Sequence, residues 1–172
     1  MNLKIECVRD KGTGCLSQRN AGTSNLSPCP YDRIHEFIKR ADKTFPTPIS
    51  ERIDIGKLTT KILAKAIVLE ATVDKELVGL SSFYANDKMQ KVAHWTFLAV
   101  DPQYTERGIG STLIANMLSI LKQEGMLSVD VLTDTVNTRA RSLYEKLGFK
   151  LVEEQDGRAR YCYYLAREED KS

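Results

Sequence analysis

A pair of glycines beside an arginine is the first feature of this sequence that could do chemistry. Arg107, Gly108, Ile109 and Gly110 follow a strand-like stretch, and a segment with helical periodicity begins at Ser111. Glycine lets the backbone adopt a positive φ and lets a ligand approach the main chain closely. The free N–H groups at a helix start, the helix dipole and a guanidinium all favour an anion. We therefore predict a pyrophosphate site at this turn, rather than glycines that only reverse the chain.

Two other phosphate-binding motifs do not fit the turn. A nucleoside-triphosphatase loop needs a lysine after its last glycine, and none follows Gly110. A dinucleotide fingerprint needs a third glycine where Leu113 stands, and its acidic partner would be Asp130, which lies in the middle of a predicted strand. A nicotinamide-dependent oxidoreductase is therefore the weakest alternative.

A second segment, Asn137 to Lys150, follows the glycine turn after about 25 residues. The two segments together resemble the GCN5-related N-acetyltransferase (GNAT) superfamily, which transfers acetyl from acetyl-CoA to an amine. Thr105 to Gly110, T-E-R-G-I-G, is similar to the family pattern Gln/Arg-x-x-Gly-x-Gly/Ala, with Thr105 in place of the usual Gln or Arg. The second signature, N-x-x-A-x-x-L-Y-x-K-x-G-F, is matched fully from Asn137 to Phe149. The resemblance covers roughly residues 66 to 165 and implies acetyl-CoA as co-substrate.

The resemblance also implies roles for individual residues. Main-chain groups of Leu98 and Val100 would pair with the pantetheine amides, as an added strand pairs with a sheet edge. Asn137 would hydrogen-bond the cofactor, and the Tyr144 hydroxyl would lie near the thioester sulfur as a general acid. A core tyrosine on its helix is the alternative for Tyr144. The residues that would hold the pyrophosphate are Arg107, Gly108, Ile109, Gly110 and Ser111.

The attacking amine must lose a proton, and His94 is the candidate base. Strand alternation would place its side chain on one face with Thr96, Leu98 and Val100. Counting back from the glycine turn, His94 falls where the histone-acetyltransferase branch of the family has a glutamate base. An imidazole of pKa about 6.5 can accept a proton at neutral pH, directly or through water. A half-buried histidine bonded to a neighbour is the alternative, and His35 is expected on an earlier helix, outward or lining the acceptor site.

Length and charge favour one domain without a polyanionic partner. A chain of 172 residues buries roughly 70% of its unfolded surface, so we expect one domain over residues 1–172. The net charge of +2 comes from 25 basic and 23 acidic residues and gives no reason to expect nucleic acid or a membrane as partner. Lys57, Lys61 and Lys65 form a helical stripe that we interpret as a solvated face. A homodimer is left open.

Cysteine usage favours a reducing compartment. Cys7, Cys15, Cys29 and Cys162 show neither C-x-x-C spacing nor a dense disulfide pattern, and the sequence has no apolar signal segment. We therefore expect a cytoplasmic protein without a metal site.

Periodicity predicts the order of the elements. Residues 1–30 would form a first strand and an irregular loop, residues 31–66 two acceptor-side helices, and residues 67–166 the acetyl-CoA-binding core. The second helix is predicted from about Ile55 to Lys65, and the connection Phe45 to Ile49 would shape the acceptor site by resemblance. The predicted fold is α/β (α+β), GNAT-like, with a mixed, mostly antiparallel sheet of about six to seven strands and helices on both faces.

The sequence thus favours an N-acetyltransferase in which a small-molecule amine attacks acetyl-CoA directly. Amino sugars, nucleotide amino sugars, polyamines, amino acids and antibiotics all remain open as acceptors. The alternatives are a non-catalytic acyl-CoA-binding regulatory module and a protein N-terminal or lysine acetyltransferase.

Overall fold

The structure, a computed structural model, describes residues 2–8 and 29–165. The strands are β1 (Leu3–Val8), β2 (Ile67–Val73), β3 (Glu76–Tyr84), β4 (Val92–Val100), β5 (Ser128–Asp134), β6 (Lys150–Gln155) and β7 (Arg158–Tyr164). The α-helices are α1 (Pro30–Asp42), α2 (Ile55–Lys65), α3 (Ile109–Gln123) and α4 (Thr138–Lys146). Single-turn 3-10 helices span Ile49–Glu51 and Pro102–Tyr104. The predicted irregular loop lies largely outside the described residues.

All seven described strands form one sheet in the order β1-β2-β3-β4-β5-β7-β6. Every neighbouring pair is antiparallel except β4 and β5, which are parallel and joined by the α3 crossover. One apolar core lies between the sheet and α3 with α4, and a second lies between the sheet and α1 with α2. The predicted mixed, mostly antiparallel sheet with helices on both faces is confirmed.

Local chemistry accounts for the ends of several elements. The side chain of Asp54 accepts a hydrogen bond from the Lys57 N–H at 2.8 Å and so caps α2, whose predicted bounds are confirmed. The predicted start of the helix after the glycine turn was off by two residues. The helix α3 begins at Ile109 rather than Ser111, because Gly108 itself serves as N-cap, and α4 begins at Thr138 because Asn137 caps it.

A β-bulge interrupts β4 in the middle of the sheet. Ser82 of β3 pairs with Phe97, but the next residue, Phe83, pairs with Trp95. Thr96 is therefore the extra residue of the bulge: β4 advances by two residues where β3 advances by one. Its hydroxyl donates to the Ser82 carbonyl oxygen at 3.1 Å, which fixes the bulge.

The bulge overturns the predicted alternation of β4. Trp95 belongs to the core under α3 and α4, whereas Phe97, two residues later, belongs to the core under α1 and α2. Leu98 and Val100 pack against the α3 side. The prediction that His94 shares a face with Leu98 and Val100 was therefore wrong, because one extra residue reverses the facing of everything beyond it.

The sheet opens next to the bulge. The parallel ladder of β4 and β5 begins at Val92 and Ser128 and ends at Trp95 and Val131. Beyond this point β4 continues to Val100 beside β3, while β5 continues beside β7. The two strands therefore diverge and leave a wedge-shaped gap.

The cysteines and the lengths of the helices bear on the predicted cellular location. Cys29 is disulfide-bonded, whereas Cys7 and Cys162 are free, so the expectation of reduced cysteines does not hold at Cys29. Among the residues that the structure describes, no helix is both long and apolar enough to cross a membrane. A cytoplasmic location stays a prediction.

Candidate active site

A cleft of about 740 Å³ occupies the gap between the diverging strands. Its floor is the end of β4, and its walls are the start of α3, one face of α4 as far as Lys146, and residues 44–46. Seven of the predicted cofactor-binding residues line it: Leu98, Val100, Gly108, Ile109, Gly110, Ser111 and Asn137. The fold therefore brings most of that prediction together in one place.

The turn before α3 aims its amide groups into this cleft. Glu106 and Gly108 both have a positive φ, of 63° and 76°, so the backbone adopts a left-handed conformation at two positions before the helix begins. The first described main-chain bond of α3 runs from the Thr112 N–H to the Gly108 carbonyl at 2.9 Å. The amides from Ile109 to Ser111 precede that bond and Gly108 supplies no side-chain cap, so these donors face the cleft.

The free edge of β4 presents main-chain groups to the same cleft. The Asp101 N–H donates to the Val78 carbonyl at 2.8 Å, so this residue faces β3. Because main-chain groups alternate in direction along a strand, those of Leu98 and Val100 face the gap. Gly110 lies close behind, since a Cβ built there would be 3.8 Å from the nearest Val100 methyl carbon.

Arg107 lies at the rim of the cleft rather than in its lining. Its guanidinium carbon is 5.1 Å from the centre of the Tyr104 ring, a cation–π contact, and Tyr104 itself lines the cleft.

A smaller cavity of about 180 Å³ adjoins the cleft. Leu98, Asn137 and Leu143 line both spaces, so the two meet between β4 and α4. Asn137 caps α4 there, because its side-chain oxygen accepts a hydrogen bond from the Ala140 N–H at 3.2 Å. The predicted acceptor-side connection is also present, since Phe45 and Ile49 line the smaller cavity.

Tyr144 lines the smaller cavity although its side chain is 6% exposed. Its ring packs edge-on against Trp95 and Tyr161, with centroids at 5.3 and 5.6 Å. Burial, and to a smaller extent Tyr161, raises the pKa of Tyr144 above the usual value of 10.0. The phenol is therefore a neutral hydrogen-bond donor throughout the physiological pH range.

An arginine pair also lines the smaller cavity. The Arg52 guanidinium donates to the Asp134 carboxylate at 2.6 Å, and Arg158 Nε lies 3.5 Å from the other oxygen of Asp134. All three residues line the cavity. Tyr144 and this group therefore border one small space.

The two histidines lie outside both cavity linings. His94 is exposed, and its neighbours across the sheet are Tyr84 and Asp130. It shares the α1 and α2 side of the sheet with Asp134, but Asp130 and Asp134 are four residues apart on β5, about 13 Å. His35 is half-buried between α1 and α2, stacked on Tyr31, so it follows neither predicted alternative.

Several lining residues were missed by sequence analysis. Arg139 and Lys146 contribute two cations to the larger cleft, and both lie within the second signature, so a helical projection of α4 could have found them. Arg52 and Asp134 are 82 residues apart, and no local pattern relates them. The stripe Lys57, Lys61 and Lys65 is exposed, as predicted, and lines neither space.

Comparison with known proteins identifies acetyltransferases that are similar to this chain. A mycothiol acetyltransferase from Clavibacter sepedonicus is 40% identical over 149 residues, which are 83% of this chain and 48% of that protein. A spermidine N(1)-acetyltransferase from Thermoplasma acidophilum is 33% identical over 114 residues, 63% of this chain and 68% of that protein. The chain thus spans about half the length of the first of these relatives.

The fold has solved counterparts. The crystal structure of PaiA N-acetyltransferase from Thermoplasma acidophilum, in complex with coenzyme A, superposes with a TM-score of 0.69 and 16% identity. The match covers 95% of this chain and 99% of that one. The model of the acetyltransferase (GNAT) family matches residues 32–149, which include both signatures, the free edge of β4 and Tyr144. The chain therefore belongs to the GNAT family of acetyltransferases.

Proposed function

We propose that the protein is an N-acetyltransferase that uses acetyl-CoA as co-substrate and acetylates a primary amine of a small molecule by direct attack. One observation carries the proposal: a cleft with free amides at a helix N-terminus and a free strand edge opens into a small cavity lined by a buried tyrosine. Residues 67–166 would bind the cofactor, and residues 31–66 would flank the acceptor.

The cleft offers each part of acetyl-CoA a complementary surface. The amides from Gly108 to Ser111 would hold the pyrophosphate, with the dipole of α3 behind them. Arg139 and Lys146 would add positive charge on the opposite wall. The main chain of Leu98 and Val100 would pair with the pantetheine amides, which places the thioester where the cleft meets the smaller cavity. The structurally similar PaiA protein was crystallised in complex with coenzyme A, which supports acetyl-CoA as the co-substrate.

The reaction in this proposal is one displacement. The nitrogen lone pair attacks the thioester carbonyl carbon, the C–N bond forms, and the C–S bond breaks as its electron pair leaves with sulfur. The nitrogen loses one proton, and the departing thiolate gains one. Tyr144 holds its proton at neutral pH and would donate to the sulfur, a contribution typically worth about 10²–10⁴-fold.

Proton removal by His94 stays a prediction. Its imidazole lines neither cavity, so this role would require a chain of water molecules leading from the amine.

A small acceptor is favoured over a protein. The smaller cavity is about 180 Å³, less than the roughly 300–1,000 Å³ of a typical ligand pocket. The two relatives described above are named for small molecules, mycothiol and spermidine. Neither name decides the acceptor of this chain.

The test has two stages. Calorimetric titration with acetyl-CoA, with NAD as comparison ligand, is expected to give binding of acetyl-CoA alone. Release of free CoA thiol is then followed with a panel of amines, and product is identified by mass spectrometry. Binding of NAD alone, or of neither ligand, contradicts the proposal, and binding without transfer to any amine favours a non-catalytic acyl-CoA-binding module.

Tyr144→Phe tests the acid role. The variant keeps the ring that packs on Trp95 and is expected to bind acetyl-CoA normally while kcat falls about 10²-fold or more. Tyr163→Phe is the matched control, because Tyr163 packs on Phe149 and lines neither cavity. An unchanged kcat for Tyr144→Phe would leave Tyr144 a core residue.

A further inference from the structure

The part of the smaller cavity around Asp134 carries more cationic than anionic charge, and it lies three residues along β5, about 10 Å, from Val131, the partner of the Tyr161 on which Tyr144 packs. Arg52 reaches it from the segment before α2, and Arg158 reaches it from the start of β7. Both guanidinium groups are near one carboxylate, that of Asp134. Among the described residues that line this cavity, these three are the only charged ones, so the local formal charge is +1.

One of the two arginines has unused hydrogen-bonding capacity. Arg158 Nε is shielded and makes no hydrogen bond to the part of the chain that the structure describes, with Asp134 3.5 Å away, but the side chain is 37% exposed, so its terminal N–H groups are the ones that a ligand could reach. Arg52 already has the shorter contact, at 2.6 Å. A guanidinium presents five donors in a planar fork, so one contact leaves most of its donors available to a ligand. Asp134 thus orients the pair without neutralising it.

We propose that the acceptor is an amine that also carries a carboxylate, an amino-acid-like molecule. The inference rests on the proposed acetyl transfer. The amine lies at the Tyr144 end, where the thioester would enter, and the carboxylate lies at the Arg52 and Arg158 end. A carboxylate fits the guanidinium fork with two parallel hydrogen bonds, and both ends of such a molecule fit one small cavity. The arginines then fix the direction in which the amine points.

The same charges disfavour other acceptors. A polyamine would place a second ammonium beside two guanidinium groups. A phosphate would meet the guanidinium groups well, but its second negative charge would lie beside Asp134. A carboxylate carries one negative charge, so the two guanidinium groups attract it and Asp134 repels it less than it would repel a phosphate.

Matched substrates test the inference. Acetyl transfer is measured for a series of amino acids, for the corresponding amino-acid amides, for spermidine and for aminoalkyl phosphates. The amide keeps the size and the amine but has no negative charge. We expect kcat/KM to be about 10- to 100-fold higher for the acid than for its amide, the range for one charge-assisted hydrogen bond.

Variants assign the preference to the arginines. Arg158→Gln is expected to reduce the ratio of acid to amide towards one, mainly through KM, while acetyl-CoA affinity stays unchanged. Arg160→Gln is the control, because Arg160 lies two residues along β7, pairs with Asp130 and Glu153, and lines neither cavity. Arg160→Gln is expected to keep the wild-type ratio.

The outcomes separate the inference from the proposed function. Equal rates for acid and amide, or a preference for spermidine or for an aminoalkyl phosphate, overturn the carboxylate assignment while acetyl transfer stands. Acetyl-CoA binding without transfer to any amine overturns both. A preference for the acid that survives in Arg158→Gln and in Arg52→Gln overturns the role of the arginine pair.

Discussion

Substitution of Gly110 by alanine should change the stability of the protein and its affinity for acetyl-CoA in opposite directions. It lies in the first turn of α3 and lines the larger cleft. The Gly110→Ala methyl carbon would be 3.8 Å from the nearest Val100 methyl carbon, an ordinary van der Waals contact, and Gly110 does not have a positive φ. The folded chain therefore accepts the methyl group, but acetyl-CoA would meet it where the pyrophosphate approaches the amides.

The two effects have opposite signs. Replacing glycine by alanine at a compatible position stabilises a protein by about 0.4–1 kcal/mol, which raises Tm by about 1–4 °C for a domain of this size. Loss of one amide contact to a charged ligand weakens binding by about 1.5–3 kcal/mol, or about 10- to 100-fold in Kd. We thus expect Gly110→Ala to have a higher Tm than the wild type and a higher Kd for acetyl-CoA.

Thermal unfolding without ligand and calorimetry with acetyl-CoA measure the two quantities. Ser119→Ala, at an exposed position near the other end of α3, is the control and is expected to change stability alone. Gly108→Ala should behave differently, because its φ of 76° costs an alanine about 1–2 kcal/mol and lowers Tm. Wild-type affinity in Gly110→Ala would refute the assignment of the pyrophosphate to these amides.

Three further changes test the scaffold. Gly79→Ala would place a methyl carbon 3.0 Å from Ile109 Cγ2, so we expect a loss of about 1–3 kcal/mol in chemical denaturation, and an unchanged midpoint would mean that α3 shifts freely. Asn137→Ala removes the cap of α4 and should cost about 0.5–2 kcal/mol, with Asn137→Asp as the restoring control. Burial raises the pKa of Glu70 above 4.5, against the opposing effect of Arg33. The stability that comes from binding this proton is complete below the pKa of the unfolded state and is lost as pH rises through the higher pKa of the folded state. Glu70→Gln should therefore flatten the pH dependence of urea unfolding above pH 4.5.

Much of the fold could be predicted from local patterns because most strands pair with the next strand in sequence. Alternation and turn residues were enough to locate β2, β3 and β4, which pair in sequence order, but not to predict which way the residues of β4 beyond Thr96 face. The cap at Asp54 and the glycines around Arg107 were visible as residue types at fixed spacing. The signature from Asn137 to Phe149 led to α4 and to Tyr144.

Two features of the site had no local signal. The bulge at Thr96 depends on how β4 pairs with β3, and a regular alternation is the only facing that one strand considered alone can predict. The arginine pair depends on where Arg52 and Arg158 lie in space, and its distance in sequence hides it. The residues proposed to select the acceptor were thus less visible than those proposed to bind the cofactor, because they lie on segments distant in sequence.

The bulge at Thr96 also bears on how this strand can change in evolution. Removing that one residue would restore regular pleating, and the side chains on one half of β4 would exchange faces. Either Trp95 would leave its aromatic neighbours or Leu98 and Val100 would turn away from α3. Point substitutions along β4 can be selected singly, but a change of its length must be matched by a change of length on β3. We expect the length of this strand to be among the slowest-evolving properties of the protein, while the segments that carry Arg52 and Arg158 remain free to diverge.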